Sequence, residues 1–134
     1  MIDAAVILVI EDDPSSLELA RYLLETSGHR PITADNGGDG LRLALGGTCD
    51  LVLCDLQMPV LDGFQVVSAL LANPHWSRVP VIAVTALSME GDRETALAAG
   101  FDGYMSKPIV PETFVSEVET YLPPSLRRTT AAGG

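Results

Sequence analysis

The stretch Val6-Ile7-Leu8-Val9-Ile10-Glu11-Asp12-Asp13-Pro14 governs how the rest of the chain is read. Its apolar run has no polar alternation, which predicts a strand buried on both faces, as in a parallel sheet. Three acids follow at once, and Asp13-Pro14 supplies a helix cap and a first-turn proline. Leu17, Ala20, Leu23 and Leu24 then fall on one helical face, and Gly28 closes that helix at its C′ position. The repeating unit to seek is therefore a buried strand that enters a helix through a polar turn.

That unit recurs along the chain. Residues 31–34 predict a second, short strand at the sheet edge, and residues 36–45 a second helix weakened by Gly37, Gly38 and Gly40. Leu51-Val52-Leu53-Cys54 is a third buried strand. Residues 63–72 place Val66, Val67, Leu70 and Leu71 on one helical face, and Asn73-Pro74 stops them. A fourth strand is predicted over 79–84, a helix over 88–99 closed by Gly100, and a fifth strand over 102–105. Pro111 opens a last helix with Phe114, Val115, Val118 and Leu122 facing inward. Five β–α units predict an α/β fold, a doubly wound five-stranded parallel sheet with helices on both faces. A length of 134 residues fits one domain. It is expected over residues 1–122, with 123–134 a disordered tail or linker remnant.

Composition narrows the function. Eighteen acidic residues against eight basic ones give a formal charge of −10, and the Lys and Arg are scattered. Direct nucleic-acid binding is not expected from such a surface, nor is attraction to anionic membranes. No apolar run reaches the ~18–20 residues of a spanning helix, and the N-terminus lacks a signal-peptide pattern. Cys49 and Cys54 are too few for a disulfide framework or a zinc site. A cytoplasmic protein with reduced thiols is expected.

Open parallel sheets bind ligands at the carboxyl ends of their strands. Here those ends carry Glu11-Asp12-Asp13, Asp55, Thr85 and Ser106-Lys107-Pro108. Each has an ordinary reading alone: a cap, a turn residue, a buried hydroxyl, a solvated lysine. Their coincidence at four matching positions points to a site. Glu11, Asp12 and Asp55 against the single Lys107 leave negative charge that either raises the carboxyl pKa values or recruits a cation. With oxygen ligands alone, a hard ion such as Mg2+ is favoured over zinc. Cys54 adjoins Asp55 but points to the opposite face, so it is read as packing. His29 and His75 are read as surface residues, and Met58, Met89 and Met105 as gap-fillers.

Four segments, in order, resemble the receiver domain of bacterial two-component response regulators. They are Ile7 to Pro14, then Asp55-Leu56-Gln57-Met58-Pro59-Val60-Leu61-Asp62-Gly63, then Val84-Thr85-Ala86, then Gly103-Tyr104-Met105-Ser106-Lys107-Pro108. The resemblance spans about residues 5–122. It implies strand order 2-1-3-4-5 in a flavodoxin-like arrangement, with Asp55 as phosphoacceptor. It implies that Glu11, Asp12, Asp55 and the backbone carbonyl of Gln57 hold Mg2+. Thr85 and Lys107 are implied to contact the phosphoryl oxygens, the Lys107–Pro108 bond to be cis, and Thr85 and Tyr104 to act as switch residues.

The implied partners are a histidine kinase or histidine phosphotransfer protein and a downstream protein target. The latter is reached through the surface of the fourth helix, fifth strand and fifth helix, in a monomer or weak dimer. Ile109 and the segment 85–92 are similar to stand-alone regulators of the cell-division type. Such a chain is a self-catalysed phosphoacceptor that dephosphorylates itself, not an enzyme with a separate substrate. Gln57 and Leu87 lie two residues beyond Asp55 and Thr85, where the resemblance implies that phosphoryl lifetime is tuned; Leu87 offers no polar help to an attacking water, so a comparatively long-lived phosphoryl group is expected.

Three other readings compete. A haloacid-dehalogenase-like phosphatase needs a second Asp where Gln57 stands, and a flavodoxin-like cofactor binder needs a phosphate-cradling loop where the acids stand. A receiver-like binding module that works without phosphorylation is the alternative least excluded.

Overall fold

The computed structural model of the chain describes residues 4–86 and 91–126. Five strands alternate with five helices: β1 (Val6–Ile10), α1 (Pro14–Thr26), β2 (Arg30–Ala34), α2 (Gly37–Gly46), β3 (Leu51–Cys54), α3 (Gly63–Ala72), β4 (Val81–Thr85), α4 (Asp92–Ala99), β5 (Gly103–Ser106) and α5 (Pro111–Glu119). All neighbouring strands are parallel, in the order β2-β1-β3-β4-β5. The register aligns Ile10 with Ala34 and Cys54, and Thr85 with Ser106. The carboxyl ends of the strands therefore share one edge.

Alternation along the strands divides the core into two layers. Leu8, Ile10, Val52 and Cys54 pack with Ala44 of α2, Val66, Val67 and Leu70 of α3, and Ala96 of α4. Ile7, Val9, Leu51 and Leu53 face the other way, onto Ala20 and Leu24 of α1 and Phe114, Val115 and Val118 of α5. A fully buried side chain such as Ile7 or Leu70 contributes about 1.5–3 kcal/mol by leaving water.

The helices start where local chemistry satisfies their first N–H groups. Asp13 accepts from Ser16 N–H at 3.0 Å, with Pro14 in the first turn. Asn36 accepts from Asp39 N–H at 2.8 Å. Asp62 and Gln65 form a reciprocal capping box, each side chain 2.9 Å from the other's N–H. Gly28, at φ 92°, follows the last turn of α1 as expected.

The opposite edge of the sheet has its own pattern. The residue just before a strand caps the first free N–H of its neighbour. Asp50, before β3, accepts from Val6 N–H at 2.8 Å. Asp102, before β5, accepts from Val81 N–H at 2.8 Å. His29, before β2, accepts from Ala5 N–H through Nδ1 at 3.2 Å. Among the described residues, every buried side-chain N or O has a hydrogen-bond partner.

Several sequence expectations are corrected. His29 is not a surface residue: it is buried, with Nε2 2.6 Å from the Glu119 carboxylate; His75 is exposed. Leu71 is 39% exposed because α3 turns it past the edge of the contact made by Val67 and Leu70. The fourth strand begins at Val81, since Pro80 has no N–H and enters the ladder only as an acceptor, from Val52 N–H at 2.9 Å. The fifth runs one residue later than expected because Asp102 is occupied as a cap. Helix α4 starts at Asp92, after Gly91 at φ 94°; residues 88–90 of the longer helix expected there lie outside the described residues, as does Met89. Pro124–Leu126 forms a short 3-10 turn whose Leu126 packs on the α1/α5 layer, where a disordered tail was expected to have begun.

Candidate functional site

Glu11 follows β1, Asp55 follows β3, Thr85 ends β4 and Lys107 follows β5. The sheet register thus converges residues up to 96 positions apart onto one edge (Glu11 to Lys107). One carboxylate oxygen each from Glu11, Asp12 and Asp55 lies within 4.8 Å of the others. Lys107 Nζ forms an ion pair with Glu11 Oε1 and sits 3.3 Å from Asp55 Oδ2.

Main-chain donors hold the two buried acids from behind. Asp13 N–H donates to Glu11 Oε2 at 3.1 Å, and Gln57 N–H donates to Asp55 Oδ1 at 3.1 Å. Asp12 is less buried than Glu11 or Asp55 and has no hydrogen bond or ion pair among the described residues. It is the acid most open to an arriving cation. Thr85 is fully buried, and its carbonyl accepts from Lys107 N–H at 2.9 Å, which fixes the base of the lysine. The Lys107–Pro108 bond is cis, as the motif implied.

The electrostatics follow from three carboxylates around one ammonium. Burial drives the Glu11 carboxyl up to about 7; the Lys107 hydrogen bond opposes this and the neighbouring Asp55 reinforces it. Burial acts to lower the Lys107 pKa, but the combined attraction of Glu11 and Asp55 wins and raises it. Cys54 donates to the Asp55 carbonyl at 3.4 Å, and burial pushes its thiol far above the ordinary range, so it serves as packing. Tyr104 lies on β5, half-buried against the α2/α3/α4 layer; burial, then the negative charge of Asp92, raises its phenol pKa.

Close backbone approach also shapes the site. A Cβ on Gly63 would stand 2.4 Å from the Asp55 carbonyl oxygen, so α3 can begin this near Asp55 only with glycine there. In the same loop Val60 is fully exposed at φ 69°, a strained conformation for a β-branched residue. The sequence reading missed Val60; no propensity rule marks a strained valine from its neighbours. Leu87 lies outside the described residues.

The donor set is all oxygen, close-set and net negative, which fits a hard divalent cation of the Mg2+ class. Lys107 projecting at Asp55 adds a fixed positive charge of the kind used to neutralise phosphoryl oxygens. A five-stranded doubly wound fold with an acidic cleft at its strand ends defines an α/β module built to take a cation at that edge. The response regulator receiver domain matches residues 7–119, and the chain belongs to that family, a domain of two-component signalling.

The chain is 37% identical over 116 residues to the polar-differentiation response regulator DivK of Brucella anthropi, covering 87% of this chain and 94% of that protein. Among solved structures it is similar to the chemotaxis response regulator CheY4 of Vibrio cholerae, with TM-score 0.83 and 26% identity over 90% of this chain and all of that one. It is also similar to the receiver domain of the sensor histidine kinase PA1611 of Pseudomonas aeruginosa, with TM-score 0.79 and 31% identity over 89% of this chain and 98% of that one. That structure has a magnesium ion coordinated in its active-site cleft. Among the described residues no helix is long and apolar enough to cross a membrane.

Proposed function

We propose that Asp55 is the phosphoacceptor and that Glu11, Asp12, Asp55 and the Gln57 carbonyl hold Mg2+. The observation that supports this most directly is the convergence of three carboxylates within 4.8 Å, with the Lys107 ammonium 3.3 Å from Asp55. An Asp55 carboxylate oxygen attacks phosphorus, a P–O bond forms, and the donor's P–N bond breaks with its electron pair leaving on the histidine nitrogen. A bound Mg2+ screens the repulsion between the two anions. Lys107 moves from its pairing with Glu11 toward the new phosphoryl oxygens. The Gln57 N–H keeps Asp55 oriented. Thr85 adds a neutral hydroxyl, and Tyr104 follows its displacement, changing the surface of α4, β5 and α5.

The donor is a histidine kinase or histidine phosphotransfer protein and the output is a protein target. The chain acts in the cytoplasm as a monomer or weak dimer, and its only catalysis is on its own aspartyl phosphate. Leu87, with no polar group to help an attacking water, leaves that phosphoryl group comparatively long-lived; loss within seconds in Mg2+ buffer overturns this part.

Intact-mass spectrometry after incubation with a small phosphodonor tests the reading. One phosphoryl addition that needs Mg2+ and is lost in Asp55→Asn is the expected result. No addition from either a small donor or a panel of histidine kinases, in a folded protein that binds Mg2+, overturns it in favour of a binding module that works unphosphorylated.

A further inference from the structure

The His29–Glu119 pair lies at the edge of the sheet away from Asp55, and the phosphoryl chemistry has no use for either group. It joins three distant parts of the chain: Ala5 before β1, His29 before β2, and Glu119 at the end of α5. The imidazole is wholly shielded from solvent and the carboxylate nearly so. Its partners dictate the tautomer. Ala5 N–H donates to Nδ1 at 3.2 Å, so Nδ1 presents a lone pair and the ring proton sits on Nε2, 2.6 Å from Glu119 Oε2. The ring is thus the neutral Nε2–H form, an acceptor toward β1 and a donor toward α5.

The other end of α5 is built differently. Its N-cap position is Val110, which is 48% exposed and makes no side-chain cap bond, and among the described residues that end is held by apolar contact alone, through Phe114 and Val115 one turn in. The chain reaches it from Lys107 in three residues, directly from the site. One end of α5 is therefore fastened by a buried hydrogen bond, and the other continues from the group that contacts Asp55.

We infer that His29 and Glu119 form an anchor that pins the C-terminal end of α5 to the sheet, so that α5 tilts about that end. Displacement of Lys107 is passed to Val110 and Pro111 and dies away toward Glu119. For a nine-residue helix of roughly 13 Å, a tilt of about 5° moves the opposite end by roughly 1 Å. The anchor stands independently of the phosphoacceptor reading; the source of the tilt rests on it.

Three measurements on the full chain test the inference. Imidazole nitrogen–proton NMR should show His29 at pH 7.5 as the Nε2–H tautomer; an Nδ1–H or doubly protonated ring overturns the anchor. Native-state hydrogen exchange should then show the last turn of α5 and residues up to Leu122 losing protection about tenfold in His29→Gln, with the first turn and β1 changing about threefold or less. Glu119→Gln, which keeps the shape and an acceptor, should show a smaller loss in the same place and covers the case in which His29→Gln does not fold. No loss, or an equal loss along the helix and in β1, overturns the anchor.

Finally, Mg2+ with beryllofluoride, a stable phosphoryl mimic, should shift resonances at the start of α5 and spare those near Glu119. The largest shifts near Glu119 overturn the tilt. Failure of wild type to bind beryllofluoride, with the first two results as expected, overturns the phosphoacceptor reading and the tilt while the anchor stands.

Discussion

Glu11 is held at a cost to stability, and replacing it with glutamine exposes that cost. Burial raises its carboxyl from the ordinary 4.5 to about 7 in the folded chain. A folded-state pKa above the unfolded one means that the folded chain binds the proton more tightly. Its stabilising contribution is complete below about 4.5 and is lost as the pH rises through about 7. At ~1.4 kcal/mol per tenfold change, and with the charge shared among Glu11, Lys107 and Asp55 and screened by solvent at the cleft mouth, the loss is on the order of 1–2 kcal/mol, or about 5 °C in Tm for a chain of this size.

Glu11→Gln mimics the protonated form and leaves Lys107 paired with Asp55, so no buried charge is orphaned. Unfolding followed in EDTA from pH 4 to 8 should show the two proteins nearly equal at the acid end. The variant should become more stable by about 1–2 kcal/mol near pH 8. Added Mg2+ should close most of that gap by stabilising wild type. Parallel pH profiles for the two proteins would refute the reasoning, because Glu11 would then titrate alike folded and unfolded.

Three further outcomes follow from other parts of the structure. Gly63→Ala drives a methyl against the Asp55 carbonyl, with 2.4 Å available, so stability should fall by about 2–3 kcal/mol in urea titrations. Phosphorylation at Asp55 should slow in the same variant, read by intact mass. Asp50→Ala leaves Val6 N–H without its side-chain acceptor and should cost about 1–2 kcal/mol by denaturant unfolding, with Mg2+ affinity by calorimetry unchanged. Val60→Asn, at a fully exposed position with φ 69°, should raise stability by about 1 kcal/mol, seen as a higher Tm.

The site was more legible in the sequence than some of the ordinary packing was. Glu11, Asp55, Thr85 and Lys107 each follow or end a strand, and parallel strands in one sheet must bring such ends to one edge. Knowing the strands was therefore enough to gather the groups without any distance. The cap at Asp13 was legible for a related reason, since a helix cap bonds within three residues of itself.

What escaped depends on residues far away in the chain. His29 at a helix end looks like a surface histidine until Glu119, 90 residues on, closes over it. The start of β4 waits on Pro80 as an acceptor for β3, and that of β5 on Asp102 as a cap for β4. Leu71 obeys the helical period but is left 39% exposed. The acceptor of the Lys107 ion pair, Glu11 before Asp55, was equally open until the backbone was in place.

Hydrophobic period, caps and strand-end polarity are local properties, so the sequence alone determined the element order, the fold class and which polar groups share the strand-end edge. Burial of a polar group, and the choice among several charges within reach, are properties of pairs that only the folded chain brings together. The tertiary structure decided those because each depends on distances of a few ångströms between residues that the sequence separates by dozens.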